Sequence, residues 1–321
     1  MLKKGYIFLL AALMLVLTAP ATAQVTHYLG AWAQGGEYSF LATVDKTAFP
    51  LKSSLGGGGG IGFTYELRAG KHFLFDVGVG ANSAWTRFKV PDAQYTLHNM
   101  IDSEGEVFDY VYSVNRRRDA YHTTSVQVPL MVGGQWGRFY FLVGAKFDMS
   151  LLTRTTSKAL ISTLGDYAPY IEPLHNIPAQ GFVDGMPWIQ QSLVTFLPNV
   201  TASWEIGVRL GEIYKETGFD VPSQKIQYRI ALFADHGILD PHVATQNLLM
   251  HVPATYNPAN PLNGLVASDV MAAKEITDIM GRFNTFMIGV KFTVLFRTPE
   301  RKHCVICQDE KPFRSTHGLI E

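Results

Sequence analysis

The chain has 321 residues, and its 27 Lys and Arg balance its 27 Asp and Glu, so the formal net charge is zero. Without a charge excess, neither nucleic acid nor another polyanion is expected as a partner, and a chain with two cysteines cannot be a disulfide-rich scaffold. Charged residues make up 17% of the chain, against about 25% in soluble domains. With 29 glycines and 12% aromatic residues, this deficit favours an all-β protein whose outer surface avoids charge.

Residues 1–23 have the pattern of a secretory signal peptide. Lys3 and Lys4 begin it, the apolar run Gly5–Leu17 follows, and Ala21–Ala23 provides a small-residue cleavage site. An N-terminal membrane anchor is the alternative, but the apolar run is shorter than the roughly 20 residues that a spanning helix needs. We therefore expect cleavage after Ala23 and a mature chain that works outside the cytoplasm.

Alternation of apolar with small or polar residues predicts the strands that follow. Successive strand side chains point to opposite faces, so each alternating segment has one apolar face and one polar face. In the final segment, Phe286, Ile288 and Val290 share a face with Phe292 and Phe296. In chain order the alternating segments are 26–41, 58–68, 73–82, 123–135, 139–148, 200–210, 226–237 and 283–297.

These segments predict an eight-stranded antiparallel up-and-down transmembrane β-barrel over residues 24–297, rather than a soluble β-sandwich. The polar faces carry charged residues in mid-strand, which suits the interior of a barrel and not the core of a sandwich. The apolar faces carry aromatic residues near the strand ends, as interface girdles do. The expected girdle consists of Tyr28, Phe40, Phe73, Trp85, Phe139, Trp204, Phe283 and Phe296.

The connections between segments alternate in length, which predicts the orientation of the barrel. The connections 69–71 and 136–138 are short, 211–225 is of medium length, and the others are long. Transmembrane barrels have short periplasmic turns and long outer loops, so we expect long extracellular loops and a periplasmic tail at 298–321. The long connections are 42–57, 87–122, 152–196 and 238–282, and the last contains a predicted helix, Ser268 to Met280.

Strand parity assigns charged residues to the inside of the predicted barrel. A barrel of eight strands has room inside only for its own side chains, and buried charges there must be paired. Because acids and bases are nearly balanced, we expect an ion-pair network, with Glu205 and Arg229 as one example of a pair, that lets no solute pass. The predicted network is Glu37, Glu66, Arg68, Asp76, Lys146, Asp148, Glu205, Arg209, Arg229, Asp235 and Lys291.

The stretch Gly58–Arg68 resembles the second strand of small outer-membrane barrels of Bacteroidota, the PorT-like family. The stretches Pro129–Gly134, Phe139–Phe147 and Phe286–Arg297 resemble that family too. The resemblance implies a barrel fold and the outer membrane of a Gram-negative bacterium, with lipid around it, and it implies no catalytic residues. Gly289, Phe292, Val294 and Phe296 also resemble the last-strand signal that the barrel-assembly machinery recognises. Some relatives serve a secretion apparatus.

Two further sets of residues suggest chemistry. Cys304 and Cys307 in the tail favour a local disulfide or exposed thiols, with a metal or partner clasp as the alternative. A hydrolase site is the other candidate, but no spacing among its residues is diagnostic, and we expect them to be structural. The candidate hydrolase residues are Asp235, His236, Asp240 and His242, with Ser125 or Ser203 as the nucleophile.

The sequence therefore predicts a non-enzymatic structural or interaction protein, without cofactor or metal. An accessory subunit of an envelope secretion or assembly complex fits best, with contacts through the outer loops or the periplasmic tail. A narrow channel and a barrel hydrolase are the alternatives.

Overall fold

The computed structural model describes residues 25–42, 52–168, 170–194, 196–210, 226–239, 250–252, 257–268, 270 and 283–298. Apart from one short 3-10 helix, Pro178–Gln180, the regular structure in these ranges is β-strand. None of the helices among the described residues is long and apolar enough to cross a membrane. The predicted signal peptide, most of the predicted helix at 268–280 and the tail beyond residue 298 lie outside the described residues.

Thirteen strands lie within these ranges. They are β1 (Val25–Ala42), β2 (Lys52–Ala69), β3 (Phe73–Lys89), β4 (Ala93–Ile101), β5 (Val107–Trp136), β6 (Phe139–Asp166), β7 (Leu174–His175), β8 (Met186–Val194), β9 (Asn199–Leu210), β10 (Ile226–Gly237), β11 (Met250–His251), β12 (Val266–Ala267) and β13 (Phe283–Arg297).

Eight of these strands pair side by side into a closed ring. The order around it is β1, β2, β3, β5, β6, β9, β10 and β13, and β13 pairs back to β1, where Trp32 lies opposite Thr293. Each pair is antiparallel, and each of the eight alternating segments lies in one of these strands. The prediction of an all-β, antiparallel fold is confirmed. The whole sheet has eleven strands rather than eight, because β4, β7 and β8 add to it outside the ring.

The two ends of the ring differ. At the turn end, Gly70 and Gly137 take the left-handed φ values of 62° and 59° that close the tight turns after β2 and β5. At the opposite end, β5 and β6 continue well past the ring. They have 30 and 28 residues, whereas β9 and β10 have 12 each.

The segments 87–122 and 152–196 were predicted to be outer loops, and that prediction was wrong. They are largely strand: the outer parts of β5 and β6 pair with each other and with β4 and β8, to form the sheet extension. One face of the extension alternates strictly, with Phe108, Tyr110, Tyr112 and Val114 all buried. Aromatic residues on alternate positions favour strand, and here the strands pack against neighbouring segments of the chain.

Two segments of the chain, one containing Gly181 and the other Pro261, cover the buried face of the extension and bind its tyrosine hydroxyls. Tyr110 donates to the carbonyl of Gly181 at 2.7 Å, and Tyr112 donates to the carbonyl of Pro261 at 2.9 Å. The ring of Phe108 stacks on Tyr167 with centroids 4.7 Å apart. The extension therefore has its own aromatic core, separate from the interior of the ring.

Part of the predicted aromatic girdle lies inside the protein. Tyr28, Phe40 and Phe283 are buried, because the parity assigned to β1 and to the start of β13 was wrong at these positions. On β1 the even positions face inward, led by Trp32, and a Cβ at Gly62 or Gly80 would collide with the Trp32 ring. Half of the predicted girdle is exposed, namely Trp85, Phe139, Trp204 and Phe296, and Phe73 is half-buried.

Candidate functional site

The inner face of the ring carries buried ion pairs, and the first is centred on Glu66 of β2. Its carboxylate is fully buried and accepts from Arg68 Nε at 2.7 Å and from Arg229 Nη2 at 2.6 Å. Both guanidinium groups also lie over aromatic rings: Arg68 is 3.9 Å from the centroid of Tyr28, and Arg229 is 4.6 Å from that of Tyr140. One carboxylate thus binds two cations, and the rings flank the surplus positive charge.

A second ion pair joins Glu205 of β9 to Lys291 of β13. Lys291 Nζ donates to Glu205 Oε2 at 2.8 Å, and the Tyr140 hydroxyl donates to Oε1 at 2.5 Å. Tyr140 therefore contacts both clusters, since the Arg229 guanidinium lies over its ring. The two ion pairs form one continuous network near the turn end and the middle of the ring.

A third ion pair lies closer to the sheet extension. Asp235 of β10 accepts from Lys146 Nζ at 2.7 Å and from the Ser203 hydroxyl at 2.6 Å. Two further carboxylates are held by hydroxyls, because Thr64 donates to Asp76 and Thr201 donates to Asp148, each at 2.7 Å. Each of these carboxylates has a donor, which offsets the desolvation cost of burying it.

Of the residues predicted for the network, Glu37 is a correction, because its side chain is exposed on the outer face. Inward Trp32 and Gln34 fix the parity of β1, so residue 37 must point outward. Arg209 and Asp148 are half-buried, and Arg209 binds the Gly137 carbonyl at the turn end. The others are buried: Glu66, Arg68, Asp76, Lys146, Glu205, Arg229, Asp235 and Lys291. The example pair is also wrong, because Arg229 binds Glu66 and Glu205 binds Lys291.

A cavity lined by both polar and apolar side chains lies in the ring beyond the third ion pair, on the side of the sheet extension. The volume that the centres of water molecules can occupy in it is about 80 Å³. One water molecule needs about 10–15 Å³ of such volume, so the cavity has room for several. The cavity is lined by Asn82, Gln127, Asp148, Asn199 and Thr285, among others. Beyond it, buried aromatic residues pack together: Phe40, Phe88, Tyr121, Phe196 and Phe283.

One buried ion pair was missed because it lies in a segment predicted to be a loop. Arg117 Nη2 donates to Asp119 Oδ2 at 2.8 Å and to the Ser268 carbonyl at 2.6 Å, and both side chains of the pair are buried. Arg117 and Asp119 are two residues apart, on the same strand face as Tyr121. An acid and a base two residues apart, as on one face of a strand, were the feature of the sequence from which this ion pair could have been predicted.

The residues considered for hydrolysis do not assemble a triad among the described residues. The Ser203 hydroxyl binds the Asp235 carboxylate directly, without an intervening histidine, while His236 is exposed on the other face. Asp240 and His242 lie outside the described residues, as do Cys304 and Cys307. Within the described ranges, no group of three or more His, Cys, Asp or Glu could hold a metal ion.

A band on the outer face of the ring is exposed, apolar and uncharged. On β6 it runs from Phe139, 65% exposed, to Leu151, 60% exposed, and on β3 from Phe73 to Trp85. Each run has twelve residue steps, which at about 3.3 Å per residue and a tilt of about 40° span about 30 Å. The outward positions of 29–35, 61–67, 73–85, 126–132, 139–151, 200–210, 226–232 and 286–296 contain no Asp, Glu, Lys or Arg.

The ring therefore has paired charges inside and an apolar band outside. No protein-family model matches the chain, and no curated protein matches it.

Proposed function

We propose that the ring of eight strands is an outer-membrane β-barrel with a closed interior, and that the protein is a non-enzymatic structural or interaction component of the cell envelope. The proposal includes membership of the PorT-like barrels. The observation that carries it is the uncharged apolar band on the outer face of the ring, around an interior that holds paired ions.

The apolar band supports membrane insertion because of its extent and height. The largest apolar patch on a soluble monomer is usually only a few hundred Å², whereas this band follows every strand of the ring. Along β3 and β6 its height of about 30 Å matches the hydrocarbon core of a bilayer. Ile61 and Phe63 are 68% and 71% exposed on the outer face. Contact with lipid would remove such side chains from water.

The ion pairs support a closed interior. Glu66 on β2 and Arg229 on β10 meet across the ring, since two other strands, β1 and β13, separate their strands along the sheet. The space toward the turn end is filled by the buried cluster of Leu74, Met131, Tyr140, Leu142 and Ala231. A solute would have to break a buried ion pair and displace these side chains.

The sheet extension supports a role in interaction. β5 and β6 are longer than a strand needs to be to cross a membrane, and the extension that they form has its own aromatic core. Other segments of the chain cover this core and form hydrogen bonds with it. We therefore propose that it carries contacts with other envelope components, as an accessory subunit of a secretion or assembly complex would require.

Membrane insertion can be tested by flotation of the refolded mature chain with lipid vesicles, followed by extraction at alkaline pH. We expect the chain to float and to resist extraction. A chain that stays in the aqueous fraction without detergent would contradict the proposal.

A narrow channel is the second candidate, because the ring contains a cavity beside Asp148 on the side of the extension. Planar-bilayer recordings separate the two. A closed interior predicts no stable conductance steps, and regular steps that Asp148→Asn alters would favour the channel.

A further inference from the structure

Six basic side chains form a patch on the outer face, immediately beyond the apolar band on the side of the sheet extension. This basic patch consists of Lys52, Arg87, Lys89, Arg118, Arg154 and Lys158, all exposed. Their outward direction follows from their neighbours, since Phe88, Tyr121 and Ser157 on the same strands are buried.

Four of the six cations stand in one row across four neighbouring strands. Lys52 of β2 lies opposite Lys89 of β3. Lys89 in turn lies opposite Arg118 of β5, and Arg118 lies opposite Lys158 of β6. Directly opposite residues have Cβ atoms only about 4.5–5.5 Å apart, and like charges there are destabilising. The row therefore disfavours the folded sheet unless an anion lies against it.

The described part of the chain does not supply that anion. No ion pair between described residues involves a member of the patch. The acids on the same outer face lie in other rows: Glu37 is level with Trp85, while Asp109 and Asp166 face each other at the far end of the extension. Asp92, after β3, accepts the backbone N–H of Arg116 at 2.7 Å.

The patch lies where a lipid headgroup would be. Along β3 the apolar run ends at Trp85, and Arg87 and Lys89 follow, with the Arg87 guanidinium 5.4 Å from the Trp85 ring. Along β6 the apolar run ends at Leu151 and Leu152, and Arg154 and Lys158 follow. Tryptophan marks the level of the headgroups in membrane proteins, so the cations lie just beyond it.

Apolar side chains lie beside the cations as well as below them. On β8, Ile189 is opposite Lys158 and Leu193 is opposite Arg154, and these two side chains are 61% and 70% exposed. A soluble anion would gain nothing from that apolar surface. An amphipathic anion would cover both.

We infer that the basic patch binds the phosphate-bearing headgroup of an anionic lipid at the membrane surface, an inference that rests on the proposed membrane barrel. Arginine and lysine are the side chains that recognise phosphate, through charge-assisted hydrogen bonds. The bound lipid neutralises the row and places its acyl chains on the apolar band.

The test measures which lipid the full mature chain retains in detergent micelles doped equally with phosphatidylglycerol and phosphatidylcholine, counted by native mass spectrometry. The wild type should retain the anionic lipid preferentially. K89A/K158A should reduce that retention on the order of tenfold, and K89R/K158R should preserve it. The matched control K71A/R138A removes two exposed cations from the turn end and should change nothing. Because K89A/K158A relieves repulsion, it should fold at least as well as the wild type without anionic lipid.

Three results would overturn the inference. The first is equal retention of both lipids by the wild type, and the second is a loss of retention in K71A/R138A as large as that in K89A/K158A. The third is displacement of the lipid by the same concentration of inorganic phosphate, which would indicate a site for a soluble anion. A chain that floats with vesicles but shows one of these results loses the headgroup site and keeps the barrel proposal. A chain that fails to float loses both.

Discussion

Arg229 and Glu66 face each other across the interior of the ring, and the guanidinium holds the carboxylate at two points, with Nη2 to Oε1 at 2.6 Å. Arg68 binds the same carboxylate from the neighbouring position on its strand face. The removal of Glu66 would therefore leave two buried cations without their anion.

We expect Glu66→Gln to destabilise the fold by about 3–5 kcal/mol, the usual cost of breaking a buried ion pair. The measurement is the unfolding midpoint in urea, in detergent micelles. Glu37→Gln is the matched control, because Glu37 is exposed, and it should stay within about 0.5 kcal/mol of the wild type. Similar effects of both changes would show that the interior pair adds no stability.

The contact of Trp32 with Gly62 gives a second prediction. A methyl group at Gly62 would overlap the Trp32 ring, so Gly62→Ala should lower the free energy of unfolding by about 1–3 kcal/mol through overpacking. Gly35→Ala is the control on the adjacent strand, where the nearest atom to an added Cβ is 3.8 Å away. That change should be neutral or slightly stabilising. The same urea titration compares them, and a neutral Gly62→Ala would mean that Trp32 can repack.

The sheet extension should unfold locally when its buried ion pair is broken. Asp119→Asn leaves the buried Arg117 guanidinium without its carboxylate, at a cost of about 3–5 kcal/mol. We expect faster amide hydrogen exchange in β4 and in the outer part of β5, with little change in β9 and β10. Asp166→Asn, an exposed position on β6 at the far end of the extension, is the control. Uniformly faster exchange in the ring would instead show that the extension and the ring unfold together.

A pH-dependent contact is expected at the outer part of β5. A hydrogen bond from His98, with a second from the Asn99 backbone N–H, lowers the pKa of Asp109 below its usual range. A lowered carboxyl pKa stabilises the fold above the unfolded-state value of about 3.9, and this contribution is lost as the pH falls through the folded-state pKa. Carboxyl ¹³C NMR should show His98→Gln moving the pKa of Asp109 back up. An unchanged titration would exclude the His98 contact as the cause.

Alternation in the sequence was enough to locate all eight ring strands, because one face of each packs inward and the other does not. It was also enough to assign most interior charges, since parity in β2, β9 and β10 is regular. It failed on β1, because Glu37, predicted to point inward, is exposed, and Tyr28, predicted to lie in the outer girdle, is buried. The Gly-rich middle of β2 and the large inward Trp32 fit together only across two strands, and no pattern within a single strand reports that fit.

The pairing of charges could not be predicted. Whether Arg229 meets Glu66 or Glu205 depends on the stagger between strands, which is a property of the whole ring. The sheet extension was missed because the segments 87–122 and 152–196 were assigned to loops from their length alone. Charged residues such as Arg117 and Asp119 can lie within a buried strand face there because they bind each other.

β5 and β6 each run as one strand from the Gly137 turn to the tip of the extension, but the register between them shifts twice, between Asn115 and Arg118 and between Thr124 and Ser125. Such a bulge bends the strand that carries it, and Arg116 at the outer shift has a φ of 53°. A load applied at the tip would therefore reach the wall of the ring through two bends, and these bends set the angle at which a docked component is held.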